Sequence, residues 1–412
     1  MRNLVDRLQK QNIVGAMSTR RVILLNGPRQ CGKTTLAKQL NLENVTYRTL
    51  DDLALLKAAQ IDPSGFIKQS QGCMIIDEIQ RAPSLITAIK KAVDEDMRPG
   101  QFLLTGSADI YALPQVQESL AGRIQKIRLR TLTQSEMNIS HKPSFLDRAF
   151  QENFCIQNSQ EDKESILQHC FRGGFPEAVE LSDQQRKRWH KDYINALLEK
   201  DVRDVAQIQR HHALKELMSV TCAWSGKLLD VSKIEATLSI QRQTLENYLR
   251  ILEAMYLMER LKPWTKTDYQ RVGRQSKMFV TDTGLICSLL GWNMKEVLFN
   301  SDRSGKIMET LVYNELAAHV DAHDGLYEFY HYRDRTGHEV DFILEREDGQ
   351  LLGIEVKAGS SVGLEDFKHL MWMRNTLAPD RFSVGIVLYT GEHILRFGES
   401  MWAVPFSDMW IA

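Results

Sequence analysis

The sequence predicts an α/β fold with several domains, and three observations point to this class. The chain has 412 residues, which at roughly 150 residues per domain indicates two to four domains. An apolar run at 21–26, RVILLN, stands directly before a glycine-rich loop and a helical pattern, as expected of a buried parallel strand. A second alternation of apolar and polar residues, over 327–359, predicts paired strands in the C-terminal part.

The amino-acid composition excludes several classes of protein. Hydrophobic residues make up 43% and charged residues 25%, values that exclude wholesale disorder, a collagen-like chain and a coiled coil. Because 52 Lys and Arg are balanced by 53 Asp and Glu, any contact with nucleic acid requires a local basic patch. The six cysteines form no CxxC pair or zinc-ligand spacing, and no apolar run approaches the ~18 residues of a membrane span. We expect a cytoplasmic protein with reduced thiols and no contact with a membrane.

The glycine-rich loop fits the phosphate-binding pattern G-x-x-x-x-G-K-[ST], between the strand and the helix that this motif requires. Its glycines permit turns at which backbone N–H groups point at phosphate oxygens. Lys33 is expected to reach the β- and γ-phosphates of ATP, and the Thr34 hydroxyl to ligate Mg²⁺. The predicted nucleotide-binding residues of the loop are Gly27, Pro28, Arg29, Gln30, Cys31, Gly32, Lys33, Thr34 and Thr35. The alternative is a glycine-rich turn without a ligand.

Acidic and hydroxyl side chains follow two further apolar runs. The run 73–76 leads into Asp77 and Glu78. We expect Asp77 to orient Mg²⁺ and Glu78 to polarise the attacking water as a general base. The next apolar run ends in Thr105 and Ser107, hydroxyls that would lie beside the γ-phosphate. The alternatives are solvated acids at the end of a strand and an ordinary turn.

Four segments in this order, GPRQCGKTT, MIIDEIQRAP, FLLTGSAD and SLAGRIQKIRL, resemble a family of bacterial and archaeal proteins that join an AAA-type ATPase to a DUF4143 C-terminal region. FRGGFPEAV and FVTDTGLICSLLG match the same family, so the resemblance spans nearly the whole chain. It implies a P-loop AAA-type ATPase core, in which Thr105 or Ser107 is the sensor. Arg123 becomes a candidate arginine finger or sensor that stabilises charge on the transferring phosphoryl group. Action across a subunit boundary would require a homo-oligomer; the alternative is a surface salt bridge.

The middle of the chain divides into a helical part and a part with a DNA-binding pattern. Residues 133–211 are mostly helical and charged, which favours a lid or connector. From 228 to 255, two helical patterns predict a helix-turn-helix, and two strands around a basic loop, the wing of a winged helix, are predicted to follow. The basic residues of this loop are Lys262, Lys266, Arg271, Arg274 and Lys277. We expect contact with duplex DNA here; the alternative is a spacer or a protein-interaction module.

The C-terminal strands carry a pattern of carboxylates. Asp341 begins one predicted strand, and Glu355 and Lys357 lie two apart on the next, so they share a face. This pattern resembles the PD-(D/E)xK nucleases, an α/β restriction-endonuclease-like fold. In this interpretation Asp341 and Glu355 hold Mg²⁺ and Lys357 positions the attacking water, and the resemblance adds a metal-binding carboxylate at Glu309. The alternatives are an inactive member of this fold and a surface hairpin with alternating charges.

Together these patterns predict four domains. They are the ATPase core (1–135), the helical lid (136–215), the winged-helix domain (216–300) and the nuclease-like domain (301–412). The predicted function is ATP binding and Mg²⁺-dependent ATP hydrolysis on duplex DNA, with a metal-dependent nuclease at the C-terminal site. One alternative is an ATP-controlled scaffold that binds nucleic acid or protein and has an inactive nuclease-like domain. Another is a signalling or chaperone-like ATPase that needs no nucleic acid.

Overall fold

A computed structural model describes residues 5–70, 72–107, 122–138, 144–154, 158–201, 211–267 and 274–410. The chain forms two compact units. The first unit comprises Asp6–Thr131 and Ala254–Tyr256, and the second comprises Leu132–Glu253 and Leu257–Ala412. Among the described residues, no helix combines the length and the apolar character needed to cross a membrane. The described cysteines are all free and buried; Cys155 lies outside the described residues.

A five-stranded parallel sheet forms the centre of the first unit. Its strands are β1 (Val22–Asn26), β2 (Val45–Thr49), β3 (Cys73–Asp77), β4 (Phe102–Gly106) and β5 (Ile124–Arg128), in the order β2-β3-β4-β1-β5. The helices are α1 (Lys10–Thr19), α2 (Lys33–Gln39), α3 (Leu53–Ile61), α4 (Pro63–Ile67) and α5 (Ser84–Glu95), with a 3₁₀ turn at Ile79–Arg81. Because β1 pairs with β4 and β4 with β3, the carboxyl ends of these three strands lie side by side.

The apolar composition of the central strands explains their position. β1, β3 and β4 are buried at every residue, as expected of parallel strands that are covered on both faces. Alternate residues of β1 enter separate clusters, since Leu24 lies in a cluster with Ile89 of α5, whereas Leu25 lies in a cluster with Leu36 of α2. The parallel α/β core predicted from the strand, loop and helix pattern is confirmed.

The second unit is mostly helical before its C-terminal sheet. Its helices are α6 (Gln134–Met137), α7 (Phe145–Phe150), α8 (Lys163–Arg172), α9 (Pro176–Val179), α10 (Asp183–Ala196), α11 (His211–Trp224), α12 (Val231–Leu238), α13 (Arg242–Ala254), α14 (Thr283–Leu289), α15 (Met294–Phe299), α16 (Ser301–Ala322) and α17 (Lys368–Trp372). Shorter π or 3₁₀ segments are Leu197–Asp201, Leu364–Phe367, Met373–Leu377 and Phe406–Met409.

Two sheets belong to the second unit. The antiparallel sheet β6-β8-β7 consists of β6 (Lys227–Leu228), β7 (Met258–Leu261) and β8 (Lys277–Val280). The strands of the C-terminal sheet are β9 (Tyr327–Arg333), β10 (Glu339–Arg346), β11 (Leu351–Lys357), β12 (Phe382–Tyr389), β13 (Leu395–Gly398) and β14 (Met401–Pro405). Their order is β13-β14-β12-β11-β10-β9, with β9, β10 and β11 antiparallel and β11, β12 and β14 parallel.

The helix-turn-helix elements predicted from the sequence are α12 and α13. The Asp230 carboxylate caps α12 by accepting the Lys233 N–H at 3.1 Å, and Ser239 ends the helix with a φ of 51°. The chain that follows β7 then runs against the C-terminal sheet. Trp264 is buried, and its backbone N–H donates to the His331 carbonyl of β9 at 2.6 Å. This part of the predicted wing is therefore fixed by an apolar side chain instead of projecting into solvent.

Two of the motifs that carry the family resemblance contact each other. Asp282, in FVTDTG, accepts the Gly174 N–H at 2.7 Å and the Leu285 N–H at 3.0 Å. A Cβ on Gly174 would lie 2.2 Å from the Leu132 carbonyl oxygen. Gly173 has a φ of +67°, and a Cβ there would lie 2.6 Å from the Asp282 carboxylate. Gly173 is therefore required for the close approach to Asp282, and Gly174 for the close approach to Leu132.

Candidate functional sites

The phosphate-binding loop connects β1 to α2. Gly27 has a φ of +148°, and a Cβ there would lie 2.1 Å from the Leu129 carbonyl oxygen, so only glycine fits. Gly32, directly before α2, has a φ of +102°. The Cys31 side chain is fully buried, and the Arg7 guanidinium donates to the Cys31 carbonyl oxygen at 2.8 Å. Arg7, which no sequence motif singles out, therefore helps to hold the backbone of the loop in place.

The Lys33 ammonium lies inside this loop. Its Nζ donates to the carbonyl oxygens of Gly27 at 3.0 Å and of Pro28 at 2.7 Å, and the residue is only 5% exposed. A buried ammonium with loop carbonyls as partners is positioned to bind phosphate. The exposed residues of the loop and the first helical turn are Arg29, Gln30 and Thr35.

Hydroxyl groups from three elements converge on Asp77, at the end of β3. Thr34 Oγ1 lies 2.9 and 3.1 Å from the two carboxylate oxygens, and the Tyr47 hydroxyl donates at 2.8 Å. Thr105, at the end of β4, donates to the same carboxylate. Burial and the hydrogen bond to Asp77 raise the pKa of Tyr47, so the phenol stays a donor. The adjacent hydroxyl of Thr34 and carboxylate of Asp77 are hard oxygen ligands, which fit Mg²⁺.

Thr105 also connects Asp77 to Glu78. Its Oγ1 accepts the Glu78 N–H at 3.3 Å while the hydroxyl donates to Asp77. The Glu78 carboxylate accepts the Ser107 hydroxyl at 3.1 Å and the Gln80 amide. The structure thus brings together the predicted acids and both candidate sensors. Gln80 was not predicted, since a polar residue after a pair of acids carries no distinctive pattern.

Arg123 lies at the other end of the sheet. It precedes β5, whose first residue pairs with Val22 at the start of β1, whereas the phosphate loop follows the end of that strand. A five-residue strand spans about 16 Å, so Arg123 does not adjoin the loop of its own chain. Its Nη2 donates to the Asp94 carboxylate at 3.1 Å, and this hydrogen bond lowers the pKa of Asp94. Within one chain, Arg123 therefore forms a salt bridge with Asp94, which is the alternative to a role as arginine finger.

The C-terminal carboxylates converge on a lysine. Phe342 of β10 pairs with Ile354 of β11, so Asp341 and Glu355 face each other across the two strands. The carboxylate cluster, as we name it, consists of Glu309 on α16, Glu339 and Asp341 on β10, and Glu355 on β11. The Lys277 Nζ of β8 lies 3.0 Å from Glu309, 3.0 Å from Asp341 and 3.1 Å from Glu339.

The expectation that Lys277 contributes to a basic surface for DNA is therefore wrong. Every residue of β8 is buried, and the Lys277 side chain is 2% exposed. Burial lowers the pKa of Lys277, but the surrounding carboxylates outweigh this effect and raise it well above its ordinary value. Lys262, Lys266 and Arg274 are exposed, and Arg271 lies outside the described residues.

The predicted Mg²⁺ site does not fit this arrangement. Asp341 uses one oxygen for Lys277 and the other for the Val356 N–H, at 3.1 Å. The Lys357 Nζ lies 3.9 Å from Glu355 Oε2, while Glu355 Oε1 is buried without a hydrogen-bond partner. Burial raises the pKa of Glu355 well above its usual range. Across the described parts of the chain, no group of three or more His, Cys, Asp or Glu is arranged to hold a metal ion.

A basic cavity of about 710 Å³ borders the carboxylate cluster. Arg333 belongs to its wall and also pairs with Glu339, at 3.1 Å. Asp334 stays ionised there, because hydrogen bonds to His338 and Thr336 outweigh burial and lower its pKa to about 2. The full lining is Leu228, Pro263, Arg274, Gln275, His331, Arg333, Asp334 and Arg335. Three arginines against one aspartate give this cavity the charge of an anion site.

Comparison with protein families identifies three matching segments. Residues 19–138 match the AAA domain, and residues 304–409 match a domain of unknown function, DUF4143. Residues 163–296 match another domain of unknown function, DUF8612. The chain contains an AAA domain, which supports ATP binding and hydrolysis, and a DUF4143 domain, so this part of the sequence resemblance is confirmed.

Similar sequences and solved structures come from bacteria and from an archaeon. Uncharacterized proteins of Mycobacterium bovis and Mycobacterium tuberculosis are each 27% identical over 386 residues, covering 93% of this chain and 80% of theirs. Among solved structures, the RuvB Holliday junction branch migration motor of Thermotoga maritima matches with a TM-score of 0.30 and 16% identity, over 62% of this chain and 90% of RuvB. A signal transduction ATPase with a tetratricopeptide repeat sensor from Pyrococcus horikoshii has a TM-score of 0.23 and 12% identity, over 78% of this chain and 48% of its own.

Proposed function

We propose that this protein is a Mg²⁺-dependent ATPase that binds duplex DNA. The observation that carries the proposal is the convergence of Thr34, Asp77 and Thr105 beside a loop whose lysine is buried among backbone carbonyls. Lys33 binds the β- and γ-phosphates, and Thr34 and Asp77 hold Mg²⁺, which polarises the phosphoryl oxygens when bound. Glu78 accepts the proton of the attacking water, and Ser107 and Gln80 fix its carboxylate.

Phosphate release from ATP tests the first half of the proposal. Lys33→Met should lower turnover at least 10-fold and up to roughly 150-fold, because a hydrogen bond to a charged group contributes about 1.5–3 kcal/mol. Lys57→Met is the matched control, since Lys57 is exposed on α3. Chelation of Mg²⁺ should abolish turnover of the unaltered protein. Equal turnover in all three proteins would contradict the assignment of the site.

The basic cavity supports binding of a polyanion by the second unit. Arg274 precedes β8, and Arg333 and Arg335 belong to the end of β9 and the turn that follows it, so two separate segments offer guanidinium groups to one space. Guanidinium groups pair with phosphate oxygens in a planar, two-pronged geometry. Phosphate contacts of this kind position a duplex without reading its sequence.

Fluorescence anisotropy with a labelled duplex, measured over a salt series, tests this half. Arg335→Glu should weaken binding and reduce the slope of log K against log salt by about 0.9 for each phosphate that the protein no longer neutralises. Lys295→Glu, an exposed change on α15, is the control for net charge. Binding that Arg335→Glu leaves unchanged would refute the cavity as the DNA site, and a lack of duplex binding by the unaltered protein would favour the protein-binding alternative.

The proposal assigns recognition, and not cleavage, to the C-terminal domain. The Lys277 ammonium lies 3.0 Å from both Glu309 and Asp341, so a positive charge of the chain itself already lies among the carboxylates that a metal ion would need. Arg123 could reach a phosphate loop only in an oligomer, from a neighbouring subunit, because in its own chain it lies at the other end of the sheet. ATP hydrolysis would then depend on assembly as well as on nucleotide.

A further inference from the structure

The carboxylate cluster matches the chemistry of an ammonium group. A lysine has three N–H donors, and Lys277 has three carboxylate oxygens at 3.0 to 3.1 Å, one each from Glu309, Asp341 and Glu339. These acceptors come from α16 and β10, whereas the lysine comes from β8. All three donors of the ammonium are therefore used, while Glu355, the fourth member of the cluster, keeps one buried oxygen without a hydrogen-bond partner.

The position of the lysine also excludes a metal ion from the same space. Mg²⁺ requires about six oxygen ligands at roughly 2.1 Å, and proteins usually supply about one or two of them from carboxylates. Asp341 lies opposite Glu355 and would have to supply one such ligand. Its Oδ1 instead accepts from Lys277 and its Oδ2 from the Val356 N–H. A metal ion could bind only after the ammonium had left.

The lysine is firmly held in this place. Both neighbours of β8 in its sheet, β6 and β7, hydrogen-bond to the strand, and Lys277 pairs with Leu228 on one side and Leu261 on the other. Withdrawal of the side chain would leave the largely buried carboxylates of Glu309 and Asp341 without a counter-ion, which costs several kcal/mol, whereas Glu339 would keep Arg333. The ammonium is thus a permanent part of the cluster.

We propose that the Lys277 ammonium replaces the divalent cation of a nuclease-like site, so that the carboxylate cluster binds β8 and not a metal. Neither ATP hydrolysis nor DNA binding requires this assignment, so it goes beyond the proposed function. The nuclease-like hairpin then serves as a receptor for a lysine of the same chain. Removal of Lys277 should convert the cluster into a divalent metal site.

Electron paramagnetic resonance of Mn²⁺ with the full chain tests the proposal. We expect Lys277→Ala to bind one more Mn²⁺ per chain than the unaltered protein, and Asp341→Asn in the same background to remove that ion. Lys277→Arg, which keeps a cation in the cluster, should bind the same number of ions as the unaltered protein. A Lys277→Ala protein that is folded and gains no Mn²⁺ would overturn the idea.

A second comparison does not depend on the folding of a Lys277 variant. The unaltered protein and Glu355→Gln should bind equal numbers of Mn²⁺ ions, because Glu355 holds no metal while Lys277 is present. One ion fewer in Glu355→Gln would overturn the proposal, as would Mg²⁺-dependent cleavage of plasmid DNA that Lys357→Ala abolishes. ATP hydrolysis is measured in parallel, so a failure of this proposal is distinguishable from a failure of the ATPase assignment.

Discussion

Thr105→Val removes one hydroxyl that connects the two acids of the nucleotide site. The residue is fully buried at the end of β4, and valine has nearly the same shape, so the main effect of the change is the loss of hydrogen bonds. The hydroxyl donates to Asp77 and accepts the Glu78 N–H at 3.3 Å. Asp77, the proposed metal-orienting acid, and Glu78, the proposed general base, therefore lose the same anchor.

The size of the effect follows from these two hydrogen bonds. A hydrogen bond to a charged group contributes about 1.5–3 kcal/mol, and a buried donor without a partner costs about 1–3 kcal/mol. We expect about 1.4–2.7 kcal/mol of this loss in the activation free energy, which corresponds to a kcat roughly 10- to 100-fold lower. KM for ATP should change little, because Lys33, the proposed phosphate-binding residue, is held by the carbonyl oxygens of Gly27 and Pro28.

Steady-state phosphate release measures kcat and KM for a matched set of variants. Thr105→Ser keeps the hydroxyl and should retain kcat within about threefold. Thr46→Val, a similar change on the edge strand β2, should have no effect on either constant. The reasoning is refuted if Thr105→Val keeps the original kcat, or if Thr105→Ser loses as much activity as Thr105→Val.

Three further predictions follow from the positions of single residues. Mixing Arg123→Ala with Lys33→Ala subunits should restore part of the ATPase activity, because intact residues of the two kinds then meet at some subunit boundaries; no rescue at any ratio would contradict action across subunits. Gly174→Ala should lower the free energy of unfolding, measured by urea titration, by several kcal/mol, because its Cβ would lie 2.2 Å from a carbonyl oxygen. Gly305→Ala is the control: a Cβ there meets open space in α16, so the free energy of unfolding should stay the same or rise by up to about 1 kcal/mol. Burial lowers the pKa of His190 to about 3, so the imidazole is neutral in the folded protein, whereas it gains a proton near pH 6.5 in the unfolded chain. The free energy of unfolding should therefore fall as pH drops from 6.5 towards 3, by up to about 1.4 kcal/mol per pH unit. His190→Gln should reduce that slope between pH 6 and 4, and equal slopes would refute the contribution of His190.

The nucleotide site was predictable because its residues belong to short local patterns. The loop and the acids that follow β3 are read from consecutive residues, and the parallel sheet then brings their strand ends together. The opposition of Asp341 and Glu355 was predictable for a similar reason, since alternation along two paired strands fixes which side chains share a face. The roles of these residues and the four domain boundaries stay predictions.

The contacts that sequence reasoning missed are contacts between distant segments. Counting the basic residues of a segment assumes that each side chain is exposed to solvent, and Lys277 was therefore expected on the surface. In the fold it is buried instead, because α16 and β10 supply carboxylates that pair with it. Arg7 likewise has no signal in its own neighbourhood, because the carbonyl oxygens it binds belong to Cys31 and Arg130. Such pairings depend on the tertiary fold and leave no periodicity in the sequence.

The contact of Trp264 with β9 has a consequence for protein handling. β9 is the last strand of the C-terminal sheet, and an open strand edge is a template for intermolecular pairing. The Lys262 carbonyl accepts the His331 N–H at 3.0 Å, and the Trp264 indole donates to Glu345 of β10 at 2.8 Å, so the segment covers part of that edge. A fragment that begins at the DUF4143 match would lose this cover and is expected to aggregate, whereas a fragment from Leu132 onward retains it.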